Sequence, residues 1–193
     1  MWNWRRGFAA SMPTMFDLKK SAIAGVFAIQ PVVRRDPRGC FVKTIYKEWF
    51  ESVGLEADFV EQYYTVSHEN VLRGMHFQIP PHDQYKLVTC LEGNVLDVVV
   101  DMRKGSPTYG HHACFELVGD QANSLYIAKG VAHGFYVKSK QATLLYNVST
   151  YYAPMHDGGV RWDSVGVAWP CGSPLMSDRD RDLLTFPVFE TPF

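Results

Sequence analysis

The stretch YKLVTCLEGNVLDVVVD, residues 85–101, decides the fold class because it contains two apolar runs joined by a turn signal. Tyr85–Leu91 and Val95–Asp101 are rich in the valine, leucine and threonine that suit a pleated, half-buried surface. The Glu92-Gly93-Asn94 sequence between them predicts a hairpin turn in which Gly93 takes a positive φ. The segment therefore predicts two strands of an antiparallel sheet.

Short apolar runs separated by turn signals continue on both sides of this segment, from Ala22 to about Trp169. The predicted strands are Gly25–Val33, Phe41–Tyr46, Phe59–Ser67, Val71–Gln78, Tyr85–Leu91, Val95–Asp101, Ala113–Val118, Ser124–Ala128, Gly134–Val137 and Thr143–Tyr152. Only Lys47–Gly54 and Asp178–Leu184 have a helical pattern. Many strands with few helices and no strand–helix alternation predict an all-β protein, an antiparallel sandwich or barrel.

Length and composition indicate one globular domain. The chain has 193 residues, of which 47% are hydrophobic and 14% aromatic, enough for a sizeable core. We expect the first 20 residues to be a loosely ordered leader. Residues 21–193 are expected to form one β domain with a C-terminal helical segment.

Charge and targeting signals exclude several classes of protein. The net charge of −1 argues against a nucleic-acid-binding protein but permits a small phosphorylated ligand. No apolar run approaches the roughly 20 residues of a membrane helix. Arg5, Arg6 and Pro13 interrupt the N-terminal segment before it reaches signal-peptide length. We therefore expect a cytoplasmic protein without a membrane partner.

Cysteine usage agrees with that compartment. The four cysteines are widely spaced and form no CxxC pair, so a zinc ribbon or a thioredoxin-like site is not indicated. They are predicted to be buried, unpaired thiols in a reducing compartment: Cys40, Cys90, Cys114 and Cys171.

Four polar side chains lie inside runs that are otherwise suited to a core: His76, Lys86, His133 and Tyr146. Strand alternation places Tyr146 on the face of Leu144 and Val148. An inward polar group must find a partner or face a cavity, because unpaired burial is costly. Each residue alone is as well explained by an ordinary core or surface position, but four together are typical of a polar pocket.

A metal site is the competing use of these histidines. Small β-barrels of the cupin type commonly bind a metal through a His-x-His pair, a carboxylate and a later histidine. In this chain Gln78 stands two residues after His76, and no acidic residue follows at short spacing. The sequence therefore predicts no metal ligands.

Taken in order, the motifs resemble the dTDP-4-dehydrorhamnose 3,5-epimerase family. The resemblance covers about Gly25 to Leu184. It rests on ENVLRGMHFQ (69–78), YKLVTCLEGNVLDVVVDMRKGSPTYG (85–110), LYIAKGVAHGFYV (125–137), LLYNVSTYYAP (144–154) and VRWDSVGVAWP (160–170). It implies an antiparallel, cupin-like jelly roll that works as a homodimer. It also implies a cofactor-independent epimerase that inverts C3 or C5, or both, of a nucleoside-diphosphate-linked 4-keto-6-deoxy sugar in deoxysugar biosynthesis.

The resemblance also implies roles for the polar residues. His76 matches the base and Asp180 the carboxylate that hydrogen-bonds to it. Tyr146 matches the proton donor on the opposite face of the sugar, and Lys86 the cation near the keto oxygen. His133 matches a second histidine of the pocket.

Further positions match the family's substrate contacts. Arg38 and Arg73 match arginines that hold the diphosphate. Strict alternation places Arg73 on the opposite face from His76, so we expect it either to serve a neighbouring subunit's site or to lie on a bulge. The whole predicted substrate-binding set is Arg38, Lys43, Glu61, Gln62, Tyr63, Arg73, Gln78, His133, Asp157 and Arg179.

The chain departs from the family pattern at several of these positions. Lys43 stands where the family usually has an acid, and Glu61-Gln62-Tyr63 stands where it usually has Gln-Asp-Asn. Both changes are expected on the nucleotide side, so the carrier need not be dTDP. Asn147 stands where the family often has lysine. A single-centre epimerase, a non-catalytic sugar-nucleotide-binding jelly roll and a metal-dependent cupin enzyme stay open as alternatives.

Overall fold

The computed structural model of the protein describes residues 15–193, which form mostly short β-strands. The strands are β1 (Phe16–Lys20), β2 (Phe27–Pro31), β3 (Val33–Asp36), β4 (Gly39–Val42), β5 (Glu61–His68), β6 (Leu72–Gln78), β7 (Lys86–Glu92), β8 (Asn94–Asp101), β9 (His112–Val118), β10 (Ser124–Ile127), β11 (Val131–Val137), β12 (Gln141–Val148) and β13 (Asp157–Gly159). The helices are α1 (Lys47–Ser52) and α2 (Asp178–Arg181), with three 3-10 turns besides. None of these helices is of a length and apolarity that would let it traverse a bilayer.

Two antiparallel sheets face each other. The larger has six strands in the order β1-β2-β10-β7-β12-β5, and the smaller has five in the order β13-β6-β11-β8-β9. Strands β3 and β4 form a separate two-stranded hairpin. The predicted all-β antiparallel jelly roll is confirmed.

The predicted pairing around Gly93 is wrong. Gly93 has the expected positive φ of 80°, but β7 pairs with β10 and β12 while β8 pairs with β9 and β11. The turn therefore carries the chain from the large sheet to the small one. Both strands are buried on both faces, so their continuous apolar runs give no indication of which neighbours they pair with.

The predicted leader is also wrong at its C-terminal end, because Phe16–Lys20 is a strand paired with β2. The side chain of Phe16 is buried against α1, with its ring centroid 4.6 Å from that of Trp49 and 6.0 Å from that of Phe50. This burial holds β1 in place as the edge strand of the large sheet, with Phe16 on the outer face that α1 covers. The rest of the predicted leader, residues 1–14, lies outside the described part of the chain.

The core has three parts. Apolar side chains of both sheets meet between them, for example Val88, Val99 and Leu144. On the outside of the large sheet, α1 covers Leu87 and its neighbours, and on the outside of the small sheet the C-terminal segment covers Phe77 and its neighbours. The two sheets are thus packed against each other and covered on both outer faces, which suits them to position polar groups in the gap between them.

A bulge in β6 sets which of its side chains face that gap. His133 of β11 pairs with His76, whereas Phe135 pairs with Arg73, so β6 carries one extra residue in this interval. Gly74 lies at the bulge with a φ of 134°, and a Cβ there would stand 2.5 Å from the Cα of Gly134. Only glycine allows the two backbones to approach this closely. The extra residue brings Arg73 and His76 to the same cavity.

Candidate active site

A cavity of about 400 Å³ opens between the two sheets. Ten of the predicted site residues line it: Glu61, Tyr63, Arg73, His76, Gln78, Lys86, His133, Tyr146, Asp157 and Arg179. His76 and His133 come from the small sheet, and Lys86 and Tyr146 from the large sheet, so these groups face one another across the gap. The predicted convergence of the four polar residues is therefore present in the folded chain.

His76 is held by Asp180. Its Nε2 lies 2.8 Å from Asp180 Oδ1, and the other carboxylate oxygen accepts the Gly74 amide at 3.2 Å. Burial alone would raise the pKa of Asp180. The hydrogen bond from His76, the charge of His76 and the Gly74 amide outweigh burial and lower that pKa below its usual range. An ionised Asp180 accepts the proton on Nε2 and leaves Nδ1 of His76 with a free lone pair.

The short helix α2 places that carboxylate. The side chain of Ser177 caps the helix by accepting the amide of Asp180 at 3.1 Å. The same helix carries Arg179, whose Nη2 lies 2.8 Å from Asp157 Oδ2. The hydroxyl of Tyr152 donates to the same Asp157 oxygen at 3.2 Å. The Asp/Arg-rich segment thus supplies one buried group behind His76 and one cation at the cavity rim.

Lys86 is a buried cation next to His76. Its Nζ lies 3.4 Å from the carbonyl oxygen of His76, and its side chain is almost fully enclosed. Burial lowers the pKa of Lys86 to about 8, against the opposing charges of Asp157 and Asp97. An amine tuned in this way carries its charge at neutral pH and loses it under mildly alkaline conditions.

The second histidine has a carboxylate partner that the sequence analysis missed. His133 Nε2 lies 2.8 Å from Asp97 Oδ2, and both side chains are buried. Burial raises the pKa of Asp97, although the positive charges of His133 and Lys86 oppose this. The signal was available, because Asp97 interrupts the apolar run VLDVVV and shares strand parity with Val95 and Val99.

Tyr146 faces the cavity while its ring is packed on two sides. Its side chain is 5% exposed, with the ring of Tyr63 stacked on it and the edge of the His133 ring against it. Burial, and then the neighbouring Tyr63 and Asp97, raise the pKa of Tyr146 well above its ordinary value. The phenol of Tyr146 therefore stays protonated at neutral pH and can donate a hydrogen bond, or its proton, to a molecule bound in the cavity.

The predicted contact residues Arg38, Lys43 and Gln62 do not reach this cavity. Gln78 does reach it, but its side chain is already hydrogen-bonded. Arg38 pairs with Asp36 on the β3–β4 hairpin, and Lys43 stacks over the ring of Tyr46. The side-chain oxygen of Gln78 accepts an amide, and its nitrogen donates to two carbonyls, all from the loops at the cavity rim. Gln78 therefore organises the rim.

Gln62 points to the outer face of the large sheet, where its Nε2 donates to Asn147 Oδ1 at 2.7 Å. The ligand contact predicted for Gln62 is wrong for this cavity, because alternation along β5 turns it away from Glu61 and Tyr63. The two departures from the family pattern at Gln62 and Asn147 contact each other. They therefore form one local exchange in the sheet.

The described residues contain no cluster of side chains arranged as metal ligands. No group of three or more histidine, cysteine, aspartate or glutamate side chains within residues 15–193 is arranged to hold an ion. The four cysteines, all within this range, are free thiols, but only Cys90 is buried. Cys40 and Cys114 are exposed and Cys171 is partly exposed, so the predicted burial is wrong for these three.

Comparison with known proteins identifies the family. A family profile described as dTDP-4-dehydrorhamnose 3,5-epimerase matches residues 20–187. The chain belongs to this family. It is 39% identical over 164 residues to a dTDP-4-dehydrorhamnose 3,5-epimerase of Shigella flexneri, covering 83% of this chain and 91% of that protein. It is 40% identical over 170 residues to a dTDP-4-dehydrorhamnose 3-epimerase of Streptomyces niveus, covering 86% and 82%.

A solved structure gives the same result. The epimerase of Legionella pneumophila in complex with dTDP-4-keto-L-rhamnose superposes with a TM-score of 0.86 at 32% identity, covering 91% of this chain and 95% of that one. The predicted family, its cupin-like fold and its class, a carbohydrate epimerase and hence an isomerase, are confirmed.

Proposed function

We propose that this epimerase inverts C3 or C5, or both, of a nucleoside-diphosphate-linked 4-keto-6-deoxyhexose, with His76 as base and Tyr146 as acid. The observation that carries the proposal is the pairing of His76 with the ionised Asp180 on one wall of the cavity, opposite the protonated Tyr146 on the other. Inversion needs a base on one face of a ring and a proton donor on the other.

The proposed step begins with the carbonyl at C4, which acidifies the hydrogens on C3 and C5. His76 removes one of these protons through Nδ1, and the electron pair moves onto the 4-keto oxygen to give an enolate. The ammonium of Lys86 stabilises that negative charge. Tyr146 then delivers its proton to the opposite face of the same carbon and recovers one from solvent, while His76 releases the proton it took. The substrate's own carbonyl supplies the acidity, so neither metal nor organic cofactor is required.

We place the remaining cavity residues on the diphosphate and the sugar. Arg73 and Arg179 are guanidinium groups at the cavity, suited to paired donation to phosphate oxygens. His133, fixed by Asp97, is a contact to the sugar or diphosphate. The named relatives are dTDP-sugar enzymes, which makes dTDP the first carrier to test. The exchange at Glu61, which lines the cavity, is the reason to test GDP, CDP and UDP sugars beside it.

Solvent exchange tests the function. In D₂O the protein is expected to incorporate deuterium at C3, C5 or both of a 4-keto nucleotide sugar, and chelators are expected to leave the rate unchanged. NMR of the product separates an enzyme that inverts both centres from a single-centre enzyme, an alternative favoured by the 3-epimerase relative. Absence of incorporation with every carrier, despite tight binding, would instead establish a non-catalytic binding protein, and loss of activity with a chelator a metal-dependent enzyme.

Replacing Tyr146 with phenylalanine separates the two proton transfers. We expect inversion to fall by about 10²- to 10⁴-fold, because the donor is lost, while His76 continues to exchange hydrogen with retention of configuration. Deuterium incorporation and product stereochemistry are measured in the same sample. Tyr136→Phe, on the outer face of β11, is the matched control. Full inversion by Tyr146→Phe would show that the acid is misassigned.

We also propose that the protein is a homodimer in which the β3–β4 hairpin reaches the second subunit. The hairpin lies outside both sheets, with the Phe41 side chain 64% exposed and that of Arg38 90% exposed. Arg38 does not line the cavity of its own chain, so in this proposal it holds the diphosphate in the other copy. Sedimentation is expected to give twice the 21.9 kDa chain mass.

Arg38→Ala is expected to raise KM by about ten- to a hundredfold, the value of a charged hydrogen bond, while kcat and the dimer are retained. Arg34→Ala on the same hairpin is the control. A monomeric parent protein with full activity would contradict the dimer, and an unchanged KM for Arg38→Ala would contradict the role of the hairpin.

A further inference from the structure

Tyr63 and Tyr146 form a parallel stack inside the cavity. They are directly opposite each other on β5 and β12, and their ring centroids lie 4.8 Å apart at an interplanar angle of 11°. Because β5 and β12 are paired along eight residues, the backbone positions of the two rings are fixed. The stack is therefore a built feature of the sheet.

The stack leaves Tyr146 little freedom to turn. Tyr63 covers one face of its ring, and the ring of His133 meets it edge-on, with centroids 6.1 Å apart and an interplanar angle of 67°. His133 is itself held by Asp97. Rotation of the Tyr146 ring about its side-chain torsions would have to displace one of these neighbours.

The two rings differ in exposure. Tyr146 is 5% exposed, whereas Tyr63 is 39% exposed and borders the open part of the cavity. Tyr63 therefore lies between Tyr146 and solvent, and its removal would open space beside the acid. The family usually has asparagine here. An asparagine side chain is too short to cover the ring, so the stack depends on the aromatic side chain of Tyr63.

We infer that Tyr63 is a positioning residue that holds the ring of Tyr146 in the orientation from which it donates its proton. This rests on the proposed function, in which Tyr146 is the acid. It differs from the expectation that the exchange at this position belongs to nucleotide recognition, because Tyr63 stacks on the proposed acid. A fixed ring delivers its proton in one direction, so each enolate is converted to the inverted product before it is reprotonated from the side it came from.

The test compares Tyr63→Asn with Tyr63→Phe, because phenylalanine keeps the stacked ring and loses only the hydroxyl. The measured quantity is the ratio of inverted product to deuterium incorporated in D₂O. We expect Tyr63→Asn to lower this ratio by about tenfold or more, since small misplacements of a reacting group cost up to about 10²-fold. Tyr63→Phe is expected to keep the ratio of the parent protein. Tyr64→Asn, on the outer face of the same strand, controls for effects on folding.

A second measurement is independent of turnover. The ring-flip rate of labelled Tyr146 by NMR is expected to be slow in the parent protein and in Tyr63→Phe, and faster in Tyr63→Asn. An unchanged ratio and flip rate in Tyr63→Asn would overturn the inference, as would a Tyr63→Phe variant as defective as Tyr63→Asn. If the parent protein shows no exchange at all, the proposed function fails, whereas an active parent with an unaffected Tyr63→Asn variant removes only the role of Tyr63.

Discussion

His76→Asn is expected to abolish deuterium incorporation at both C3 and C5, with a fall in kcat of at least about 10³-fold. The variant removes the base that both centres share, so no route to the enolate remains. Asp180 keeps the hydrogen bond from the Gly74 amide in this variant, so the buried carboxylate is not left without a partner. The measurement is exchange in D₂O followed by NMR at each carbon.

Asp180→Asn is expected to lower kcat by about 10²-fold or more, because an amide beside His76 no longer selects the tautomer that leaves Nδ1 of His76 free. His111→Asn replaces an exposed histidine away from the cavity and is expected to retain parent activity. Thermal unfolding of the three variants shows whether each is folded. Loss of a general base is expected to leave about a hundredth of the parent exchange rate or less. If His76→Asn exchanges hydrogen at more than about a tenth of the parent rate, the assignment of His76 as base is refuted.

Lys86→Met is expected to lower kcat by about 10²- to 10³-fold, the range for losing one group that stabilises a developing oxyanion. Methionine has a similar length and fits the enclosed site, so the loss reports the charge. Lys138→Met, which removes a surface partner of Glu116, is the control. Parent activity in Lys86→Met would show that the enolate is stabilised elsewhere.

The same lysine predicts an alkaline limit to activity. The pKa of Lys86 is lowered by burial to about 8, so the ammonium is present below that pH and lost above it. The value of kcat/KM, which reports the free enzyme, is therefore expected to fall as the pH rises through about 8. An ordinary lysine has a pKa of about 10.4. A profile of kcat/KM that stays flat up to about pH 10 would therefore contradict the lowered pKa of Lys86.

Stability is expected to move in the opposite direction. A lysine whose pKa is lower in the folded state costs stability at every pH below that pKa. The cost disappears as the pH rises from about 8 to the ordinary value of 10.5. Removing the charge in Lys86→Met is therefore expected to raise the free energy of unfolding at pH 7 by about 1–3 kcal/mol. A variant that is more stable and much less active would identify a group retained for catalysis.

Much of the site could be predicted from the sequence, because its polar residues lie within apolar strand segments. His76, His133 and Tyr146 interrupt apolar strand runs, and strand parity correctly placed Tyr146 with Leu144 and Val148 facing inward. The same argument would have found Asp97. Local pattern succeeds here because the two faces of a strand alternate strictly wherever the strand is regular.

Where the strand is irregular, local pattern fails. Arg73 and His76 reach one cavity only because β6 bulges at Gly74. The departures at Gln62 and Asn147 are separated by 85 positions, and only the pairing of β5 with β12 shows that they are a single hydrogen-bonded pair. The stack of Tyr63 on Tyr146 depends on that same pairing.

The sequence by itself determined most of the strands, the family and the chemical types of the reacting groups, because these follow from residue identity and short-range periodicity. It missed β1 and β13, the two strands at sheet edges that lack a long apolar run. Tertiary structure decided which strands pair, which wall of the cavity each group occupies and what holds it there. Those properties depend on register between strands far apart in the chain and on close packing, which no local stretch encodes.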